Sequence, residues 1–331
     1  MRAGSVKADQ PGDRFSIHFL SSGSSGNCTL VRDGPDNFLI DFGVGPQKFV
    51  ALLRAEGVDV EYWRERAARG AHPSGTHAPR LTAALMTHTH GDHVTPALLR
   101  LLHDNHVMLW THTEHSFQLD GDKFYGAMIG RGMVNHYDAG EFQLTPSTRV
   151  RPLRLPHDSH PTHGFVLSRS LAGGARIKVG YAADLGHFPK PLAGALSNCD
   201  LLALEFNHDE NMERTSLRPS YLKNRVLGTH GHLSNDQAAD ALREILRHST
   251  SRFPRCIALL HLSRDCNRAE LAREAAARVL RECGAQTRII VTRQRECAGS
   301  VDLLAGAAPP PRMQKKQPRE LYYAMDDFFM E

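Results

Sequence analysis

The chain has 331 residues, 41% of them hydrophobic and 23% charged, with a formal net charge of +4 and 20 histidines. Such a length holds one large domain or two ordinary ones, and the composition is that of a globular chain rather than a disordered or fibrous one. A total of +4 admits a nucleic-acid partner without identifying one, because that signal is a clustered basic face. Cys28, Cys199, Cys256, Cys266, Cys283 and Cys297 form no CxxC pair and are expected to be reduced, mostly buried thiols. The opening MRAGSVKADQPGDR lacks the apolar core of a secretion signal, and no stretch is long enough to span a bilayer. No membrane association and a cytoplasmic location are the expectation.

In chain order, residues 1–14 read as a flexible N-terminus. Strand character follows at Phe15–Leu20, Cys28–Arg32 and Asn37–Asp41, where apolar or β-branched runs are bounded by turn residues. A helical pattern covers Gln47–Glu56, and Val60–Arg80, rich in Arg, Gly, Ala and His, reads as a surface insertion. A strand at Ala83–Thr87, a helix at Pro96–Asp104 and a strand at Val107–Trp110 come next; His112 and His115 open or flank a helix and read as solvated. Strands at Val150–Leu155, Gly164–Ser168, Arg176–Gly180 and Leu201–Glu205 precede a helix at Asp236–Arg247, for which Asn235 is the expected N-cap. A strand at Ile257–Leu260, a helix at Arg268–Glu282 stopped at Cys283-Gly284, and a strand at Arg288–Val291 complete one domain over residues 15–300. Residues 301–331 read as a Pro-rich linker and a tail, LYYAMDDFFME, that is disordered, packs on the domain, or docks into a protein partner. Early hairpin-like strands followed by strands alternating with helices predict mixed sheets covered by helices.

The chemistry concentrates in His88-x-His90-x-Asp92-His93, which leaves the C-terminal end of the apolar strand LTAALMT. Alternation sends His88 and His90 one way, and the Gly91 bend turns Asp92 and His93 another. Donors diverging in two directions suit two adjacent metal ions better than one, and two-metal sites hold a bridging hydroxide that attacks the substrate. Further donors are then expected at other strand ends. His157 follows VRPLRLP, Asp184 follows IKVGYAA and could bridge the two ions, and His261 follows CIALL. Asp41 closes NFLID and is expected to orient a ligand histidine from behind.

These residues, in this order, resemble the metallo-β-lactamase superfamily over roughly residues 15–295. Four local motifs, Ser21-Ser22-Gly23-Ser24-Ser25-Gly26-Asn27, His157-Asp158, Glu205-Phe206-Asn207-His208-Asp209 and Gly231-His232-Leu233-Ser234-Asn235, resemble its YycJ/WalJ-like branch of bacterial cytoplasmic exonucleases or phosphodiesterases. The resemblance implies a four-layer αββα sandwich. It implies one metal on His88, His90 and His157, a second on Asp92, His93 and His261, and Asp184 shared between them. Asp92 would also act as base or orienter. His232 is similar to a histidine that nuclease branches carry ahead of the last ligand, where a protonated imidazole can donate to a leaving alkoxide or steady a phosphoryl oxygen.

The run Glu205–Asp209 is less specific: Asn207, His208 and Asp209 could line a substrate groove or support a ligand. His160 and His163 read as surface or supporting residues. The loop SSGSSGN lacks the lysine and following helix of a P-loop, and no GxSxG elbow is present, so it is expected to pack beneath the metal site. Zinc or manganese is the expected metal, with iron also compatible with imidazole and carboxylate donors. The reading is a dinuclear-metal phosphodiesterase or exonuclease on DNA or RNA, its phosphates held by basic residues such as Arg218, Lys223 and Arg225. A hydrolase of a thioester, lactone or small cyclic phosphodiester is the alternative, because the same metals can polarise a carbonyl.

Overall fold

The computed structural model describes residues 14–62 and 80–305. The expected flexible N-terminus up to residue 13, the insertion over 63–79 and the chain from 306 onward lie outside the described residues.

Two seven-stranded sheets face each other. The first runs β14-β1-β2-β3-β4-β5-β6 and the second β13-β12-β11-β10-β9-β8-β7. In the first, β1 (Phe15–Ser21), β2 (Cys28–Asp33) and β3 (Asp36–Ile40) are antiparallel, and β4 (Ala83–Leu85), β5 (Met108–His112) and β6 (Val134–Tyr137) continue in parallel. In the second, β7 (Phe142–Gln143), β8 (Thr148–Leu155), β9 (Thr162–Ser170) and β10 (Arg176–Ala182) are antiparallel, and β11 (Leu201–Glu205), β12 (Cys256–Leu260) and β13 (Arg288–Val291) are parallel. Parallel pairing requires crossovers, and helices supply them.

Helices α1 (Pro46–Ala55), α2 (Pro96–Asp104), α3 (Ser116–Leu119) and α4 (Lys123–Gly130) bury Phe49, Leu53, Leu98, Leu102 and Met128 against Leu30, Leu39 and Leu109 of the first sheet. On the far side, α5 (Pro191–Leu196), α8 (Asn235–His248) and α9 (Ala269–Cys283) bury Leu196, Leu242, Ile245 and Val279 against Leu202, Leu204, Ile257 and Leu259. Between them lie two short helices, α6 (Glu210–Thr215) and α7 (Ser220–Leu227). A third core, with Phe15, Ile17, Phe38, Phe165, Leu167, Val179, Leu201 and Ala258, fills the space between the sheets. The expected αββα sandwich is the observed one, and each fully buried large apolar side chain contributes roughly 1.5–3 kcal/mol to it.

Among the local differences from the sequence reading, three concern residues named there. Ser234, not Asn235, caps α8, because Gln237 three residues later reciprocates in a capping box. Val301 and Asp302, assigned to the linker, pair with Ile17 and Ser16 as β14 (Ser300–Asp302). His112 and His115 are buried rather than solvated, in a cluster where the rings of His112 and His163 stack and both meet Tyr137 edge-on. Gly284 ends α9 as expected, in the left-handed conformation at φ 67°.

Candidate active site

Strands β3, β4, β8, β10, β11 and β12 all end along one rim, the position at which open α/β sheets gather ligands. Each end contributes side chains to that rim. Asp41 follows β3, the His88–His93 turn follows β4, His157 follows β8, Asp184 follows β10, Glu205 closes β11, and His261 follows β12. Asp41, Asp184 and His261 hold φ of 59°, 60° and 57°, a left-handed conformation that non-glycine residues rarely adopt. Three such residues at one rim mean that the surrounding fold holds these side chains in place against the local preference of the backbone.

Donor atoms of His88, His90 and His157 lie within 4.8 Å of one another, and so do those of Asp92, His93 and His261. Asp184 joins His88 and His93 in one further group, and Glu205, His232 and His261 in another. The seven expected donors are therefore together, and Asp184 stands between the two sets. Most of them are buried; His90 and Asp92 are partly open to solvent.

The protein fixes the ring orientations from behind. His93 Nδ1 is 2.8 Å from Asp41 Oδ2, which also accepts from the Thr87 hydroxyl. His157 Nδ1 donates to the Gly231 carbonyl at 2.9 Å. The Asn207 amide lies 3.0 Å from His261 Nδ1 and donates to the His261 carbonyl at 2.7 Å. In each case Nε2 is the nitrogen left facing inward, as metal-ligating histidines require. The serine-glycine loop packs directly beneath: Ser22 Oγ accepts from the His261 amide, and Asn27 Nδ2 lies 2.9 Å from His93 Nε2. Opposite it, a Cβ at Gly43 would come within 1.8 Å of the Asp92 carbonyl, so only glycine admits this approach.

The charges follow from this crowding. Burial alone would lower His93 and His261, but Asp41, Asp184 and Asp92 around the first, and Asp184, Asp92 and Glu205 around the second, hold both well above the ordinary histidine value. Burial likewise opposes ionisation of Asp184, yet His261 and His93 keep it well below the usual carboxylate range. His88 is lowered chiefly by burial, with His93 adding to it and Asp184 opposing it. Ionised carboxylates here demand positive charge, and buried Asp184 Oδ2 has His93 Nε2 at 3.2 Å but no well-aligned hydrogen bond. Imidazole nitrogens and carboxylate oxygens within this span are a donor set that divalent transition metals favour, so the residues fit such ions.

His232 stands over both sets, its ring centroid 5.1 Å from that of His157 and 5.0 Å from that of His261. Its Nδ1 is 2.8 Å from Glu205 Oε1, while Glu205 Oε2 accepts from the amides of Leu185 and Leu233. Glu205 is fully buried, and although burial raises a carboxyl, His232 and His261 hold it at about 2. The sequence reading left Glu205 without a role of its own. Its signal was available: a carboxylate closing an all-apolar strand, the pattern that marked Asp184.

His208 and Asp209 do not gather with the donors. His208 is buried, and Asp209 caps α6 by accepting from the Met212 amide. Of the basic residues named from sequence, Arg218 is tied to Glu213 and Asp265, and Lys223 Nζ donates to the carbonyls of Arg214 and Ser216. Arg225 alone of the three reaches the site, through Asp158, whose Oδ1 is 3.2 Å from His157 Nε2.

A model of the family described as "Beta-lactamase superfamily domain" matches residues 36–251. The chain is 24% identical over 273 residues to the exodeoxyribonuclease YycJ of Bacillus anthracis, covering 81% of this chain and 90% of that one. It is 25% identical over 258 residues to the exodeoxyribonuclease WalJ of Streptococcus pneumoniae, covering 78% and 85% respectively. Zinc-bound PqqB from Methylobacterium extorquens shares the fold at a TM-score of 0.59 and 15% identity, over 87% of this chain and all of that one. Among the described residues no helix is long and apolar enough to cross a membrane. With a family match over well more than half of its length and a donor cluster built for divalent metals, the chain belongs to the metallo-β-lactamase superfamily and is a metal-dependent hydrolase.

Proposed function

We propose that this chain hydrolyses phosphodiester bonds in DNA, as an exonuclease. The observation that carries the reading is the Glu205–His232 pair standing over the donor cluster. A carbonyl hydrolase with these donors has little need of an additional imidazole backed by a buried carboxylate. A phosphodiesterase does, because the departing alkoxide is a poor leaving group until it is protonated. The names of the two curated relatives support the same substrate class.

His88, His90 and His157 would hold one divalent ion, Asp92, His93 and His261 the other, with Asp184 shared. Zinc and manganese suit this set best, followed by iron. When bound, such ions supply an activated water and stabilise charge on the phosphoryl oxygens. The chain's own residues do the rest. Asp41 and Asn207 lock the imidazoles of His93 and His261 in orientation, and Asp92, more open than Asp184, is placed to orient the attacking water. Glu205 holds His232 by Nδ1, so that Nε2 is the ring nitrogen that would pass a proton to the leaving oxygen.

The test offers end-labelled single- and double-stranded DNA and RNA, a cyclic nucleotide and a thioester to protein loaded with zinc or manganese. Stepwise shortening of DNA is expected, and His232→Ala should slow it by about 10²- to 10⁴-fold, the usual worth of a general acid. Glu205→Gln should fall between His232→Ala and wild type. Thioester turnover without any cleavage of DNA, or an unimpaired His232→Ala enzyme, would reject the proposal.

A further inference from the structure

Helix α7 carries a feature that the hydrolytic site does not use. Tyr221 and Arg225 are exposed and four residues apart, so their side chains lie on one face about 5–6 Å from each other. Tyr221 is 75% exposed, an unusual position for an aromatic ring, and among the described residues neither a ring nor a hydrogen bond engages it. Arg225 is turned toward the site by Asp158, whose two carboxylate oxygens accept from Nε and Nη2. The same Asp158 lies 3.2 Å from His157 Nε2 and 3.5 Å from His90 Nε2, which places the guanidinium at the edge of the donor cluster. A guanidinium has five N–H donors. Asp158 uses one edge, and Nη1 donates to no described residue.

The helix is held rigidly against the catalytic loop. Its Val226 is buried and accepts from the His232 amide at 3.0 Å, and Lys223 pins it to the carbonyls of Arg214 and Ser216. Packing at the joint is so close that a Cβ at Gly231 would meet the Arg225 carbonyl at 2.2 Å. The face bearing Tyr221 and Arg225 is thus fixed relative to His232.

We infer that this face seats the single-stranded end of the DNA substrate, with Arg225 binding a backbone phosphate beside the scissile one and Tyr221 stacking under the base that follows. The inference rests on the proposed phosphodiesterase activity. A cation with a free hydrogen-bonding edge and an unpartnered aromatic ring are the two elements by which single strands are held without sequence preference. Asp158 positions Arg225 before substrate arrives, so the guanidinium need not be immobilised on binding. Arg225 and Tyr221 are positioning residues in this scheme, and no bond is made or broken on them.

The two elements leave different signatures. Metal-loaded protein is titrated with a short fluorescent phosphorothioate oligothymidylate across a range of salt concentrations. Arg225→Ala should weaken binding about tenfold and flatten the dependence of log K on log salt by about 0.7, the share of one single-strand phosphate. Arg225→Lys should keep the slope and recover part of the affinity. Tyr221→Ala should weaken binding about tenfold with an unchanged slope, as loss of one stacked base does, and Tyr221→Phe should restore it. Equal slopes for wild type and Arg225→Ala, or equal losses for Tyr221→Phe and Tyr221→Ala, would overturn the seat while leaving the activity standing. A wild-type enzyme that neither binds this oligonucleotide nor cleaves its phosphodiester counterpart would overturn both.

Discussion

Among the described residues two clusters of histidines are buried, and one of the two is built for metal. In the first, His88, His93, His157 and His261 converge on Asp92 and Asp184 at the strand ends. In the second, His112, His115 and His163 pack around Tyr137, with the rings of His112 and His163 stacked at 4.7 Å. Burial is similar and lowers His88 and His157 as well, but at two rings of the first cluster neighbouring charge reverses it. Carboxylates carry His93 and His261 well above the ordinary value against the penalty of burial. Burial pushes His115 to about 4 and His163 to about 3, and for His163 the neighbouring groups His112, His115, Arg154 and His160 push further the same way. His115 is moreover satisfied by the protein itself, through the Thr111 hydroxyl and the Pro161 carbonyl. A histidine cluster becomes a cation site when buried carboxylates complete it; without them it is a neutral, ring-packed part of the core.

The largest effect that would sharpen this contrast is loss of the carboxylate behind His93. Asp41→Asn keeps the shape and removes the charge that orients and strengthens His93. Metal affinity is expected to fall by about 10- to 100-fold, as it does when such supporting carboxylates are lost. Competition against a zinc chelator measures it, and a change below twofold would break the argument.

A smaller effect is expected in the second cluster, and its sign depends on pH. The folded value of His163, about 3, lies below the ordinary 6.5, so between those values the unfolded chain binds more protons than the folded one. Stability from this residue is complete above pH 6.5 and drains away as pH falls toward 3. His163→Phe, which keeps a ring in place and removes a buried nitrogen with no partner, should be more stable than wild type by a larger margin near pH 5 than near pH 8. Urea unfolding at the two pH values decides, and an identical difference at both would contradict the neutral-core account.

Much of the first cluster was legible in the sequence because each donor interrupts an apolar run. His88, His157, Asp184 and His261 all follow strands that have no internal reason to end in a polar residue. Glu205 ends LLALE in the same way, but the polar NHDEN that follows disguised it as the start of a loop. The second cluster was illegible for a different reason. His112 and His115 sit in a polar stretch, THTEH, and only the packing of β9 and Tyr137 over them, which is long-range, buries them. Helices α6 and α7 were missed because they bury only Glu213 and Val226 and show no apolar stripe. The strands β6, β7 and β14 are too short to display an alternation. The one-residue error at the start of α8 arose because Ser234 and Asn235 are both good caps, and only the reciprocal bond from Gln237 separates them.

The most direct test of the contrast is the number of metal ions each chain retains after saturation with zinc or manganese and removal of the excess. Two ions per chain are expected for wild type and for His115→Phe, and a substantial loss for Asp184→Asn, whose carboxylate stands between both donor sets. A wild-type protein that holds one ion or none, or a His115→Phe variant that loses metal as Asp184→Asn does, would contradict a two-metal centre confined to the strand-end cluster.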